Sequence, residues 1–153
     1  MKRDNFAFLD PGKLLDDELE LVLVKRNPAN PEKKYVPGYE FEMRHSETGE
    51  KMGNARLSIG YNENIHYGGH VGYNVLERFR GKRLAARSLN LIFPLAKHHG
   101  INPIWITCNP ENIASRKTCE IAGGILQEIV DLPEHNEQYQ DGDRKKCRYR
   151  FDL

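Results

Sequence analysis

Apolar and polar positions alternate with a two-residue period through the first half of the chain, and a helical period takes over only later. Residues 18–25 (ELELVLVK) alternate charged and apolar positions before turning fully apolar, as a strand with one partly solvated side does. Residues 39–44 (YEFEMR) alternate strictly, and a turn at residues 47–50 (ETGE) leads into residues 51–59, which predicts a hairpin. Residues 60–69 hold neither period and read as a looser segment before a strand over residues 70–75. From Arg83 the period changes. Leu84, Ser88, Leu91, Ile92, Leu95 and His99 share one helical face, while Arg83, Arg87, Asn90 and Lys97 fall opposite. Gly100 stands where that helix should end, and Pro94, which removes the bond to the Asn90 carbonyl, predicts a kink.

Residues 104–108 (IWITC) are short and apolar on both sides, as in a buried strand running parallel to its predecessor across the helix. A second helix is predicted over residues 112–122, with either Asn109 or Asn112 as its cap and Gly123-Gly124 as its end. Residues 125–132 and 145–152 read as closing strands joined by a polar connection, residues 133–143. Like charges crowd residues 144–150 (RKKCRYR), with Cys147, Tyr149 and Phe151 on the other face, a pattern read as a solvated strand face. Residues 25–38, with three prolines and four lysines or arginines, form the one candidate linker.

Length and charge narrow the classes. A chain of 153 residues suits one domain, residues 1–153, with a substantial core. Its net charge of +1 argues against bulk electrostatic binding to nucleic acid or an anionic membrane, and so against a nucleic-acid module built on the basic tail. The apolar stretches are too short for a membrane span, and residues 1–12 carry charges where a signal peptide needs an apolar core. Cys108, Cys119 and Cys147 are far apart and odd in number, with no C-x-x-C pair for zinc or a redox disulfide. Three reduced thiols, no metal and a cytoplasmic location are the expectations.

The most informative stretch is residues 69–85, an apolar strand running into an Arg-Gly-Lys turn that opens the first helix. Backbone N–H groups at such a turn are free to donate, and the helix start adds partial positive charge, so a phosphate is the natural ligand. Arg78, Arg80, Lys82 and Arg83 surround the point with fixed charge. Taken in order, the strand, R78-F-R-G81-K-R83-L-A85, the helix, IWITC and N112-I-A-S115-R-K-T-C-E120-I-A-G-G124 resemble the GNAT superfamily of acetyl-CoA-dependent N-acetyltransferases. Arg78 and Gly81 match that family's Q/R-x-x-G-x-G/A pyrophosphate motif. The resemblance covers roughly residues 69–124, a little over a third of the chain.

The resemblance implies an α/β fold (α+β, mixed sheet): a central, mostly antiparallel sheet with a splayed parallel strand pair and helices on both faces, here with a shortened first helical region. It implies acetyl-CoA as co-substrate, its pyrophosphate held by the backbone amides of Arg80, Gly81, Lys82, Arg83, Leu84 and Ala85 without a metal. Backbone groups of Asn74 and Val75 would pair with the pantetheine arm, and Asn112 and Ser115 match positions that face it. Arg83 departs from the family's Gly or Ala at the last motif position. A helical first-turn conformation is accessible to arginine, so the departure bears on cofactor affinity rather than on the fold.

The implied reaction is direct transfer of an acetyl group to a primary amine on a small molecule or a protein. The alternative is a non-catalytic acyl-CoA-binding or sensing domain. His70, at the strand position where many GNAT enzymes carry a glutamate, is the candidate base; a histidine satisfied by a backbone carbonyl is the structural alternative. Tyr73 and Glu77 are further candidates. Many family members place an acid tyrosine seven residues after the asparagine, and here that position is Cys119, equally readable as a small core thiol. Tyr149 is another source for the missing hydroxyl. Residues 25–38 are too short and proline-rich for the two helices that usually build the acceptor wall. That wall is therefore expected from this loop, from residues 61–69 with Asn62, Glu63, Asn64, His66 and Tyr67, from residues 133–143, or from the second subunit of a homodimer.

Overall fold

The alternating first half folds into a five-stranded antiparallel sheet: β1 (Leu14–Asp16), β2 (Leu19–Asn27), β3 (Gly38–His45), β4 (Lys51–Ser58) and β5 (Val71–Val75), in that spatial order. The molecule is described in a computed structural model over residues 6–153; residues 1–5, the start of the charged N-terminal stretch, lie outside the described residues. Register explains the alternation. Phe41 stands opposite Ala55, and Ala55 opposite Tyr73, all toward one face. Lys25, Glu40, Arg56 and Gly72 form the neighbouring row, toward the other.

The apolar face packs under α2 (Leu84–His98), which buries Leu84, Leu89, Ile92, Leu95 and Ala96 against it. Full burial of each large aliphatic contributes roughly 1.5–3 kcal/mol before chain entropy is counted. The helix continues through Pro94 as one element, with the proline on its exposed side, where water can satisfy the Asn90 carbonyl. Arg87 ties the helix start to the first hairpin. Its guanidinium donates to the Asp16 carboxylate at 2.8 Å and the Glu18 carboxylate at 2.9 Å.

Three strands make a second antiparallel sheet in the order β6-β8-β7: β6 (Ile104–Cys108), β7 (Ile125–Asp131) and β8 (Lys145–Phe151). α3 (Ile113–Ile121) links β6 to β7, capped by the Asn112 side chain, which accepts from the Ser115 amide at 3.1 Å. Asn112, not Asn109, is thus the cap. The basic run is not a solvated face: β8 is the central strand, and Lys146 and Arg148 are 7% and 3% exposed. Arg148 lies over the Trp105 ring, pairs with Glu128 at 2.8 Å and donates to the His66 carbonyl.

Two connections hold helices where no periodicity is visible. α1 (Glu63–Gly68) lies within the segment read as loose, and α4 (Glu137–Gln140) within the polar connection before β8. Both are too short to show a helical stripe, and each starts at an asparagine cap, Asn62 or Asn136. Cys108, Cys119 and Cys147 are free and buried. Among the described residues no helix is long and apolar enough to cross a membrane, and no group of His, Cys, Asp or Glu could hold a metal ion.

Candidate active site

The edges of the two sheets are hydrogen-bonded at one place and part beyond it, above a core that both share. The His70 amide donates to the Trp105 carbonyl at 2.6 Å, and the Trp105 amide donates to His70 Nδ1 at 2.9 Å. On the other side, the Ser58 amide donates to the His70 carbonyl at 2.7 Å, and His70 Nε2 donates to the Gly60 carbonyl at 3.0 Å. Gly69 precedes this contact with φ +76°, and a Cβ there would stand 3.0 Å from the Trp105 carbonyl and the Thr107 amide. After His70, β5 and β6 form no ladder. The free edge of β5 therefore faces an open cleft.

That cleft, about 330 Å³, gathers the residues expected at the cofactor. Asn74, Val75, Arg80, Gly81, Arg83, Leu84, Ala85, Asn112 and Ser115 all line it, together with Tyr73. Lys82 does not; it stands exposed at the turn, its carbonyl accepting from Arg87 at 3.4 Å. Phe79, Ala114 and Thr118 also line the cleft without any signal in the sequence pattern. Arg78, the first motif position, points elsewhere: it pairs with Glu50 and lies over the Phe79 ring. Arg80 Nε donates to the Val75 carbonyl at 3.0 Å, which leaves the Val75 amide as that residue's remaining group for a ligand.

The turn itself is shaped for an anion. Gly81 has φ +91°, and Arg83, the residue before α2, has φ +58° and ψ +29°. This corrects the expected first-turn conformation of Arg83: it is left-handed, a region glycine enters without cost and arginine does not. The reason for glycine at this motif position is then backbone conformation. No side chain caps α2, and its first turn holds no acidic residue. Among the described residues its first amides are consequently without a side-chain acceptor at the cleft wall, an arrangement suited to an anion.

In the cleft Tyr73 carries a hydroxyl from β5 across to α3. Tyr73 Oη lies 2.9 Å from Ser115 Oγ and 3.8 Å from Cys119 Sγ. Desolvation by burial raises the pKa of both groups, the thiol to about 12, so both keep their protons at neutral pH. Cys119 is fully buried. Tyr149, the other hydroxyl considered, is also fully buried and accepts from Arg116 Nε at 3.1 Å, away from the cleft. Glu77 is exposed and outside the cleft lining.

His70 is engaged on every polar atom. Burial is the main cause that lowers its pKa, to about 4, against a smaller rise from the Gly60 carbonyl. The ring is therefore neutral, with its proton on Nε2 and its Nδ1 lone pair taken by Trp105.

On the polar face of the larger sheet, residues 27–36 and α1 enclose a second concavity of about 780 Å³. Asn62 and Asn64 both donate to the Lys34 carbonyl, at 2.8 and 2.9 Å, and so tie two of the expected wall segments together. Three more residues of this segment are bonded, Tyr67 through its backbone. Glu63 pairs with His135 at 2.7 Å and His66 with the Tyr61 hydroxyl at 2.8 Å, while the Tyr67 carbonyl accepts from Thr107.

A family model described as an acetyltransferase (GNAT) domain matches residues 13–125. Comparison with curated protein sequences finds no significant match. Among solved structures the chain is similar to a Vibrio cholerae protein assigned as a ribosomal-protein-serine acetyltransferase, at 12% identity and a TM-score of 0.66, covering 95% of this chain and 100% of that one. It is similar to RimL, a ribosomal L7/L12 alpha-N-protein acetyltransferase, in complex with coenzyme A through a cysteine disulfide: 16% identity, TM-score 0.66, 92% and 98% covered. The microcin C7 self-immunity acetyltransferase MccE, in complex with acetyl-CoA and AMP, follows at 18% identity and a TM-score of 0.60, with 76% of this chain and 61% of that one covered. These likenesses are of fold, and the family match spans most of the chain. The chain therefore belongs to the GNAT family of acetyltransferases.

Proposed function

We propose that residues 1–153 work as one domain that moves the acetyl group of acetyl-CoA to a primary amine by direct attack. The observation that carries this reading is the convergence of nine expected cofactor residues on one cleft, which opens where the sheets part and ends at an uncapped helix start. The acceptor enters as an ammonium and gives its proton to water. The free amine then attacks the thioester carbonyl, the C–N bond forms, the C–S bond breaks, and the thiolate leaves and takes up, through water, the proton that the new amide nitrogen loses. Transfer needs no enzyme nucleophile. Tyr73, held by Ser115, gives a hydrogen bond to the departing sulfur while keeping its own proton, and Cys119 packs behind it. His70 positions the sheets and does not take the proton.

RimL and the Vibrio cholerae protein are named for ribosomal-protein acceptors. A protein α-amine and a small-molecule amine present the same attacking group, so both belong in the test. Thermal denaturation with CoA or acetyl-CoA should show stabilisation of about 2.7 kcal/mol at a hundredfold excess over Kd. Release of free CoA thiol across a panel of amines should exceed hydrolysis for at least one. Stabilisation without any amine-dependent release would identify an acyl-CoA sensor instead, and no stabilisation would remove the cofactor reading altogether.

A further inference from the structure

Glu40 and Arg56 stand directly opposite on β3 and β4, the arrangement in which opposite charges normally close into a cross-strand ion pair. They do not pair. Glu40 Oε2 accepts instead from Asn27 Nδ2 at 2.6 Å, and Arg56 Nη1 donates to Ser58 Oγ at 2.7 Å. Both line the concavity of about 780 Å³, and Lys25, Lys33 and Lys34 line it too. Four cations thus surround one carboxylate. Arg56 is exposed at the wall of the concavity, and desolvation lowers its pKa while the Glu40 charge raises it.

The concavity and the cleft share no lining residue, and β5 alone separates them. Arg56 and Gly72 are register partners, and a Cβ on Gly72 would lie 2.9 Å from Arg56 Nη2. Only glycine leaves the guanidinium room to lie flat on β5. Since β5 is the sheet's edge, Arg56 sits about one strand spacing, roughly 4.8 Å, from the free edge that faces the cleft.

We propose that this concavity seats the acceptor and that the acceptor is a primary amine carrying an anionic group, the anion on Arg56 and the amine reaching past it over β5 to the cleft. The inference rests on the acetyl-transfer reading above. A free carboxylate, a phosphate and an acidic side chain near a peptide N-terminus share this chemistry, and the assay separates them.

The test uses matched pairs at saturating acetyl-CoA: ethanolamine with phosphoethanolamine, glycinamide with glycine, and amidated Ser-Ala with amidated Ser-Asp. One pair at least should favour its anionic member by about 10–100-fold in kcat/KM. Arg56→Gln should abolish that ratio, and Glu40→Gln, which removes the one carboxylate among the four cations, should lower KM for the anionic members. The pair that responds identifies the anion's source. A preference for neutral amines or for spermidine overturns the proposal, as does an Arg56→Gln effect equal on both members. In parallel, each probe is added to CoA-saturated protein in thermal denaturation. A shift from an anionic amine that Arg56→Gln loses upholds the site without turnover, and no shift from any probe overturns it. Failure of CoA itself to stabilise the protein is a separate result that removes the transfer reading.

Discussion

His70 and Trp105 exchange two hydrogen bonds, amide to carbonyl at 2.6 Å and amide to imidazole at 2.9 Å, and these hold the two sheets together at the apex of the cleft. The ring supports the fold only while neutral. With a folded pKa of about 4 against an ordinary 6.5, the unfolded chain binds a proton between these values that the folded chain refuses. Stability is therefore complete above pH 6.5 and falls as pH drops toward 4, by about 3 kcal/mol for this group. His70→Gln should be less stable at pH 8 by about 1–3 kcal/mol, through the lost acceptor for Trp105, and should show a flatter decline in acid. Denaturant titrations at pH 8, 6 and 5 measure both. An unchanged slope in the variant would assign the decline to other groups.

Tyr73→Phe should lower kcat by about 100-fold with little change in KM for acetyl-CoA, since the hydroxyl acts on the leaving sulfur rather than in binding. Ser115→Ala should produce a smaller loss of the same kind by releasing the hydroxyl held at 2.9 Å. Equal losses in kcat/KM for Cys119→Ala and Tyr73→Phe would move the donor role to the thiol.

Arg83→Gly should stabilise the protein by about 0.5–1 kcal/mol, because glycine relieves the left-handed backbone at φ +58° and returns part of the gain as unfolded-state entropy. Affinity for CoA should fall by a few-fold through loss of one cation, with a weaker salt dependence. Calorimetric titration at two ionic strengths reads this directly. A drop in stability would show that the arginine side chain supports the turn.

Glu18 is held near pKa 2, chiefly by its hydrogen bonds from Arg87. Its stabilising contribution is present above its ordinary value of 4.5 and is lost as pH falls from there toward 2. Arg87→Gln should weaken this part of the acid transition and loosen β1 from the start of α2. Amide exchange at β1 in the variant, compared with β3, distinguishes local loosening from global destabilisation.

Much of this is legible in the sequence where one local rule decides the outcome. Residues 104–108 form β6 because a short run apolar on both sides has few other places to go, and Asn112 caps α3 because its side chain reaches the Ser115 amide. The cleft lining follows from a turn and a helix start that carry their own residues. Other features depend on partners distant in the chain. Arg148 is buried because Trp105, Glu128 and the His66 carbonyl converge on it, whereas an alternating charged strand looks the same when solvated. α1 spans six residues and is held to Lys34 by two asparagines, so its helical period never develops. Arg83 conceals its backbone conformation, because nothing about arginine announces a positive φ. Glu40 and Arg56 gave no sequence signal beyond ordinary strand alternation; only the register shows that they face each other unpaired.

The single seam at His70 has a mechanical consequence. The two sheets share one core behind that seam, and a molecule set in the cleft would add a second tie between them, as a strut does. Acetyl-CoA spanning from the start of α2 to α3 would brace both sheets at once. Its arrival should then be felt at β7, on the far side of the smaller sheet from the seam, as slower amide exchange in a strand that does not line the cleft.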